Sequence, residues 1–115
     1  MSVLLPELLE TRREGDLKVT LKLRLPADLL YFKGHFPGAP ILPGVVQTDW
    51  AIHYGRELLP VQGEFKALET LKFQQILQPG QTPELELEYR PEKGALSFRY
   101  VSAMGKHSSG TVVFD

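Results

Sequence analysis

The chain has 115 residues, 43% of them apolar and 23% charged, with a formal net charge of −1 and no cysteine. That composition suits one globular domain over 1–115, small enough that self-association would add stability. The lack of a basic excess argues against a nucleic-acid binder, and the absence of cysteine excludes disulfides, thiolate nucleophiles and cysteine-based zinc sites.

The first residues, MSVLLPELLETRRE, show no basic stretch followed by a long apolar run, so no secretory signal is expected. No apolar stretch reaches membrane-spanning length. A cytoplasmic location is therefore the expectation. Residues 3–10 read as a short helix or an edge segment, with Pro6 weakening the helix. Over 17–25 the pattern is clearer. Leu17, Val19, Leu21, Leu23 and Leu25 alternate with Lys18, Thr20, Lys22 and Arg24, the period of a strand with one buried face. Pro26 ends it.

A loop over 27–43 follows, carrying Gly34, Gly38, Pro37, Pro40 and Pro43. Prolines fix φ and glycines admit unusual backbone shapes, so this is a shaped loop, and its length is of the kind that often carries function. From 44 to 59 the period changes. Val45, Val46, Trp50, Ile52, Tyr54, Leu58 and Leu59 suit a helix that is apolar over much of its girth and largely buried, closed by Pro60. Next come a strand over about 70–77 ending at Pro79-Gly80, alternating strands over 84–90 and 95–103 joined by a turn at 92–94, and a last short strand over 110–114. His107, in GKHSSG, reads as a surface residue in a turn. Strands without further helices indicate an antiparallel α+β fold, in which a curved sheet wraps one buried helix.

Residues 34–49, GHFPGAPILPGVVQTD, resemble the active-site segment of the β-hydroxyacyl-acyl-carrier-protein dehydratases. The matching parts are Gly34-His35-Phe36-Pro37, Pro40, Pro43-Gly44-Val45 and the helix acid Asp49. LKFQQILQPG (71–80) resembles the strand that follows the helix in that family. The resemblance implies a hotdog fold, with the helix as the sausage and the sheet as the bun. It departs from the family in three ways. The acid is Asp where the long-chain branch has Glu. His53 stands where Gln is usual. QTDWAIHYG looks closer to the dehydratases of aryl-polyene gene clusters.

The resemblance implies a role for each residue. His35 is the base: an ordinary histidine pKa of about 6.5 leaves the ring mostly neutral near pH 7. Asp49 is the acid, which an apolar setting formed by Val45, Val46 and Trp50 would keep protonated. Gly44 is the backbone donor to the thioester oxygen, with Val45 beside it, at a helix N-terminus. His53, at i+4 from Asp49, is the candidate to orient it. Tyr31, Phe32 and Trp50 are candidates to line an acyl tunnel. No cofactor or metal is implied; a metal held by His35, Asp49 and His53 is the weaker alternative.

The expected partners are an acyl carrier protein bearing a phosphopantetheine-linked substrate and a second hotdog chain. That chain is a homodimer mate, a member of a higher oligomer or a different hotdog subunit. In the family, the histidine and acid of one site come from different protomers. The expected reaction turns a 3-hydroxyacyl thioester into the trans-2-enoyl thioester. A hotdog thioesterase, or a non-catalytic hotdog subunit that completes a partner's site, stays open beside it.

Overall fold

The alternation of apolar and charged residues builds one antiparallel sheet, because each strand then presents a dry face and a wet one. The structure, a computed structural model, describes residues 4–29 and 41–115. Six strands, β1 (Glu7–Glu14), β2 (Lys18–Arg24), β3 (Phe65–Phe73), β4 (Glu84–Arg90), β5 (Ala95–Ser102) and β6 (Gly105–Phe114), line up in the order β1-β2-β4-β5-β6-β3. All neighbours are antiparallel. The helix α1 (Gly44–Leu58) lies on one face, against β4 and β5.

Register explains the core. Leu21 stands opposite Leu85, Val19 opposite Leu87, Leu87 opposite Phe98, and Leu96 opposite Val112, so the buried residues of neighbouring strands form continuous rows. The helix adds Val46, Trp50, Ala51 and Tyr54 to this layer. It approaches the sheet closely at Gly55, where an added Cβ would sit 2.5 Å from a Leu96 methyl. On the opposite face Lys18 faces Glu88 and Lys22 faces Glu84, while Arg99 donates to Glu86 at 2.6 and 3.0 Å. The Glu84, Glu86, Glu88 row is thus a wet face laced by cross-strand charge pairs.

Several boundaries differ from the sequence reading. The N-terminal segment is an edge strand, and it runs on to Glu14. The strand expected over 70–77 begins at Phe65 and stops at Phe73, because the ladder to β6 runs out at Ser108. The last strand starts at Gly105 rather than 110, drawing His107 into the sheet. Leu17 precedes β2 and is 38% exposed rather than buried. The helix, expected to be apolar over much of its girth and largely buried, is two-sided, with Val45, Asp49, His53, Arg56 and Glu57 on its open side. Among the described residues, no helix is long and apolar enough to cross a membrane.

The core argument has a direct check. Leu87, 1% exposed between two strands and the helix, should cost about 2–5 kcal/mol when changed to alanine. Glu86→Ala on the wet face should cost at most about 1 kcal/mol. Urea denaturation of both variants measures the contrast.

Candidate functional site

The helix begins without a side-chain cap. Pro43 occupies the cap position with φ −61° and ψ 147°, and no acidic side chain stands in the first turn. The carbonyl of Pro43 accepts from the N–H groups of Val46 and Gln47 at 3.1 and 3.2 Å. The N–H groups of Gly44 and Val45 have no backbone acceptor among the described residues. These two donors, at the positive end of the helix dipole, are the ones left over when a helix starts.

They stand beside two clefts. One, of about 470 Å³, is lined from the helix by Gly44, Val45, Thr48, Asp49 and Ile52, and from β3 by Phe65, Leu68, Leu71 and Phe73. The other, of about 290 Å³, runs from Ile41–Gly44 and Gln47 to Phe73 and residues 74–76. The clefts meet where Phe73 lies over Gly44. An added Cβ on Gly44 would stand 2.4 Å from the Phe73 ring, so only glycine lets ring and helix tip approach so closely.

β3 reaches this position through an irregularity. Its pairing with β6 slips between Glu69 and Lys72, and Thr70 there has φ +49°, a strained value for a β-branched residue. After the slip, Leu71 packs over Gly110 and Phe73 over Gly44.

Among the described residues, Asp49 is the one ionisable residue lining the larger cleft. Its carboxylate makes no hydrogen bond or ion pair among the described residues, and it is exposed in the single chain. The apolar side chains facing it from β3 are exposed as well, Phe65 by 51% and Phe73 by 52%. So the dry setting expected around the acid is only half built by one chain, and its walls are Val45, Ile52 and β3 rather than Val46 and Trp50.

The remaining candidates fall out as follows. Gly44 and Val45 sit where the sequence places them. His53 does not turn to Asp49; its Nε2 pairs with Glu57 one turn further on, at 3.2 Å, and both groups are about half exposed. Trp50 is 2% exposed and donates its indole N–H to the Leu4 carbonyl at 3.1 Å, which makes it a core residue and not a tunnel wall. His35, Tyr31 and Phe32 lie outside the described residues. His107, expected at the surface, is 1% exposed. Its Nδ1 faces the Ile76 carbonyl at 3.1 Å and its Nε2 the Ser102 hydroxyl at 2.6 Å. A carbonyl can only accept, so Nδ1 carries the proton there.

Beneath the helix tip lies a buried polar cluster that the sequence reading did not single out. Gln47, Ser108 and Tyr100 are all at most 3% exposed; the Tyr100 hydroxyl donates to the Gln47 backbone carbonyl and the Ser108 hydroxyl to the Gln47 side-chain oxygen. The available signal was Gln47 itself, a polar residue on the inner side of an otherwise apolar helix stretch. Burial pushes the Tyr100 hydroxyl well above the ordinary tyrosine pKa of 10.0, with Tyr54 adding to the effect. Tyr54 is also raised, by burial and then by Glu57.

Among the described residues, a single helix held against one face of a six-stranded antiparallel sheet is the arrangement of a hotdog fold. The comparisons carry this further. The family profile described as "ApeI-like: ApeI dehydratase" matches residues 10–111. The chain belongs to the ApeI-like dehydratase family. It is 36% identical to a chain of the dehydratase heterocomplex ApeI:P from Xenorhabdus doucetiae, covering 94% of this chain and 96% of that one with a TM-score of 0.88. An uncharacterized protein from Erwinia carotovora subsp. atroseptica is equally similar at 36% identity, with a TM-score of 0.82 and 96% of each chain covered. Among more distant relatives, the 3-hydroxyacyl-[acyl-carrier-protein] dehydratase FabZ of Enterococcus faecalis is 34% identical over 96 residues, 77% of this chain. That of Erythrobacter litoralis is 38% identical over 72 residues, 55% of this chain. The chain spans 64% and 48% of the length of these two relatives.

The raised tyrosines set a pH dependence. The native state keeps the Tyr100 proton where the unfolded chain releases it, so the unfolded state gains as pH rises past 10. Melting temperature should therefore hold steady up to about pH 9.5 and fall above pH 10. Tyr100→Phe should be less stable at neutral pH, having lost its bond to Gln47, but show a flatter alkaline decline. Thermal melts from about pH 8 to pH 11 measure both.

Proposed function

We propose that the chain dehydrates a 3-hydroxyacyl thioester, held on an acyl carrier protein, to the trans-2-enoyl thioester. The observation that carries this reading is one cleft. Asp49, the only ionisable group lining it among the described residues, and the N–H groups of Gly44 and Val45, which have no backbone acceptor among those residues, open into the same apolar space. An acid, oxyanion donors and a dry channel for a chain are what loss of water from a hydroxyacyl thioester requires.

In this reading the imidazole of His35 takes the α-proton. Negative charge then builds on the thioester oxygen, and the Gly44 N–H, with Val45 beside it, stabilises that charge. Donors of this kind are each worth about 2.7–4 kcal/mol at the transition state. The electron pair from the broken C–H bond forms the new double bond as the C–O bond breaks. Asp49 gives its proton to the departing hydroxyl, and water leaves. The family match and the FabZ relatives support the reaction class; a polyene or fatty-acid-like product and a cytoplasmic setting are our inference. The domain is proposed to act as a single unit over 1–115.

A second hotdog chain is proposed to cover β3. This strand is an open edge of the sheet, and its Phe65, Leu68, Leu71 and Phe73 are exposed together with Val45. The mate is either a second copy or a different hotdog subunit, the X. doucetiae structure being itself a heterocomplex. It would dry the cleft around Asp49 and bring its own His35-bearing loop, or the equivalent, to the acid.

Mass spectrometry of carrier-bound species should show loss of one water from a panel of 3-hydroxyacyl carriers. His35→Ala and Asp49→Ala should fold normally and lose about 10²–10⁴-fold in turnover. Release of free carrier thiol in place of water loss would favour a thioesterase. Activity that arises only on adding another hotdog subunit, and survives both substitutions, would reduce this chain to a supporting subunit. In sedimentation, Leu68→Lys with Leu71→Lys on the β3 edge should shift the wild-type oligomer to monomer.

A further inference from the structure

We propose that Gln47 is a positioning residue whose side-chain amide aims the Gly44 and Val45 N–H groups. This inference rests on the oxyanion role given to them above.

The amide of Gln47 is 3% exposed and fully engaged. Its Nε2 donates to the Leu42 carbonyl at 3.1 Å, and its Oε1 accepts from the Ser108 hydroxyl at 2.6 Å. The Leu42 carbonyl can only accept, so it decides which end of the amide faces it, and Ser108 holds the other end. The backbone carbonyl of Gln47 accepts from the Tyr100 hydroxyl at 2.6 Å. Leu42 is gripped from its other side too, its N–H donating to the Leu77 carbonyl at 2.8 Å. Between Leu42 and Gly44 stands only Pro43, whose ring fixes φ. With Leu42 held at both ends, Pro43 fixed in φ, and the Pro43 carbonyl accepting from the N–H groups of Val46 and Gln47, the peptide plane carrying the Gly44 N–H has little freedom left.

The opposite wall of the smaller cleft hangs from the neighbouring residue of β6. The His107 carbonyl accepts from the N–H groups of Gln74 and Gln75 at 2.9 and 3.2 Å, and its ring holds Ile76. Two successive buried residues of one strand, His107 and Ser108, therefore set both sides of the space beside Gly44.

An apolar side chain of similar size would fill the place of Gln47 without demanding partners, and a buried hydrogen-bonded amide gains little net stability over it. What the amide supplies is direction. It also carries no charge, whereas a carboxylate there would repel a developing oxyanion and could not donate to Leu42.

The test uses the full chain in its native oligomer. Gln47→Leu removes both amide bonds, Ser108→Ala frees the amide to turn, and Gln47→Glu donates to Leu42 only when protonated. Misaiming a donor by a fraction of an ångström to an ångström costs up to about 100-fold. Gln47→Leu should lower kcat by about 10–100-fold with KM within about threefold, Ser108→Ala should lose less, and the double variant should be no worse than Gln47→Leu alone. The ratio of Gln47→Glu to wild-type kcat should rise as pH falls. In ¹H–¹⁵N spectra of Gln47→Leu, the Gly44 and Val45 amide signals should shift or broaden while those of Lys18 and Glu86 stay put. Loss of melting temperature with kcat unchanged, a flat pH ratio, or unmoved Gly44 and Val45 signals would each overturn the proposal. Wild-type protein that dehydrates nothing retires the dehydratase reading alone, and the spectra still decide whether Gln47 aims the helix tip.

Discussion

The close contact of the Phe73 ring with Gly44 organises this protein. A strand edge is laid directly over the start of a helix, at a distance no side chain on residue 44 would permit. That contact joins the two halves of the site, because Gly44 and Phe73 are the residues both clefts share. It requires glycine at the helix tip, a slip in the β3–β6 ladder to bring the ring round, and a proline at residue 43 that needs no donor of its own. The helix tip then faces the cleft with two N–H groups that have no backbone acceptor among the described residues.

The electrostatics follow from the same placement. On the outer face of the sheet Glu84 pairs with Arg12 and Glu86 with Arg99 across strands, and Glu88 with Arg90 along its own strand. On the inner side, polar groups are few and nearly all are satisfied, as Gln47, Ser108, Tyr100 and His107 show. Asp49, on the open side of the helix, makes no hydrogen bond or ion pair among the described residues. Around it stand exposed apolar side chains of the helix and β3, Val45, Phe65 and Phe73 among them.

Much of the fold was legible. Strict alternation in β2, β4 and β5 announced which residues face the core, and the register matches them row for row. The loop-to-helix transition at Pro43-Gly44 was equally plain, as was Asp49 on that helix. The ends of β3 and β6 were not. Phe65–Phe73 carries apolar residues that one chain leaves exposed, so its pattern does not separate a dry face from a wet one. GKHSSG looks like a turn because polarity is read as wetness, yet His107 and Ser108 are buried with every polar atom matched to a distant partner. His53 failed for a related reason: helical spacing offers both Asp49 and Glu57, and pairing with Glu57 wins on the outer, wetter side.

The central claim is that an acyl thioester places its carbonyl at the tip of the helix. The most direct test is a ¹H–¹⁵N titration of the full-chain protein with 3-hydroxyacyl pantetheine analogues, of several chain lengths, in which an amide replaces the thioester. The account expects saturable shifts that are largest at the Gly44 and Val45 amides and extend to Asp49 and Phe73. Shifts confined to the outer sheet around Glu86 and Arg99, or none at any chain length, would contradict it.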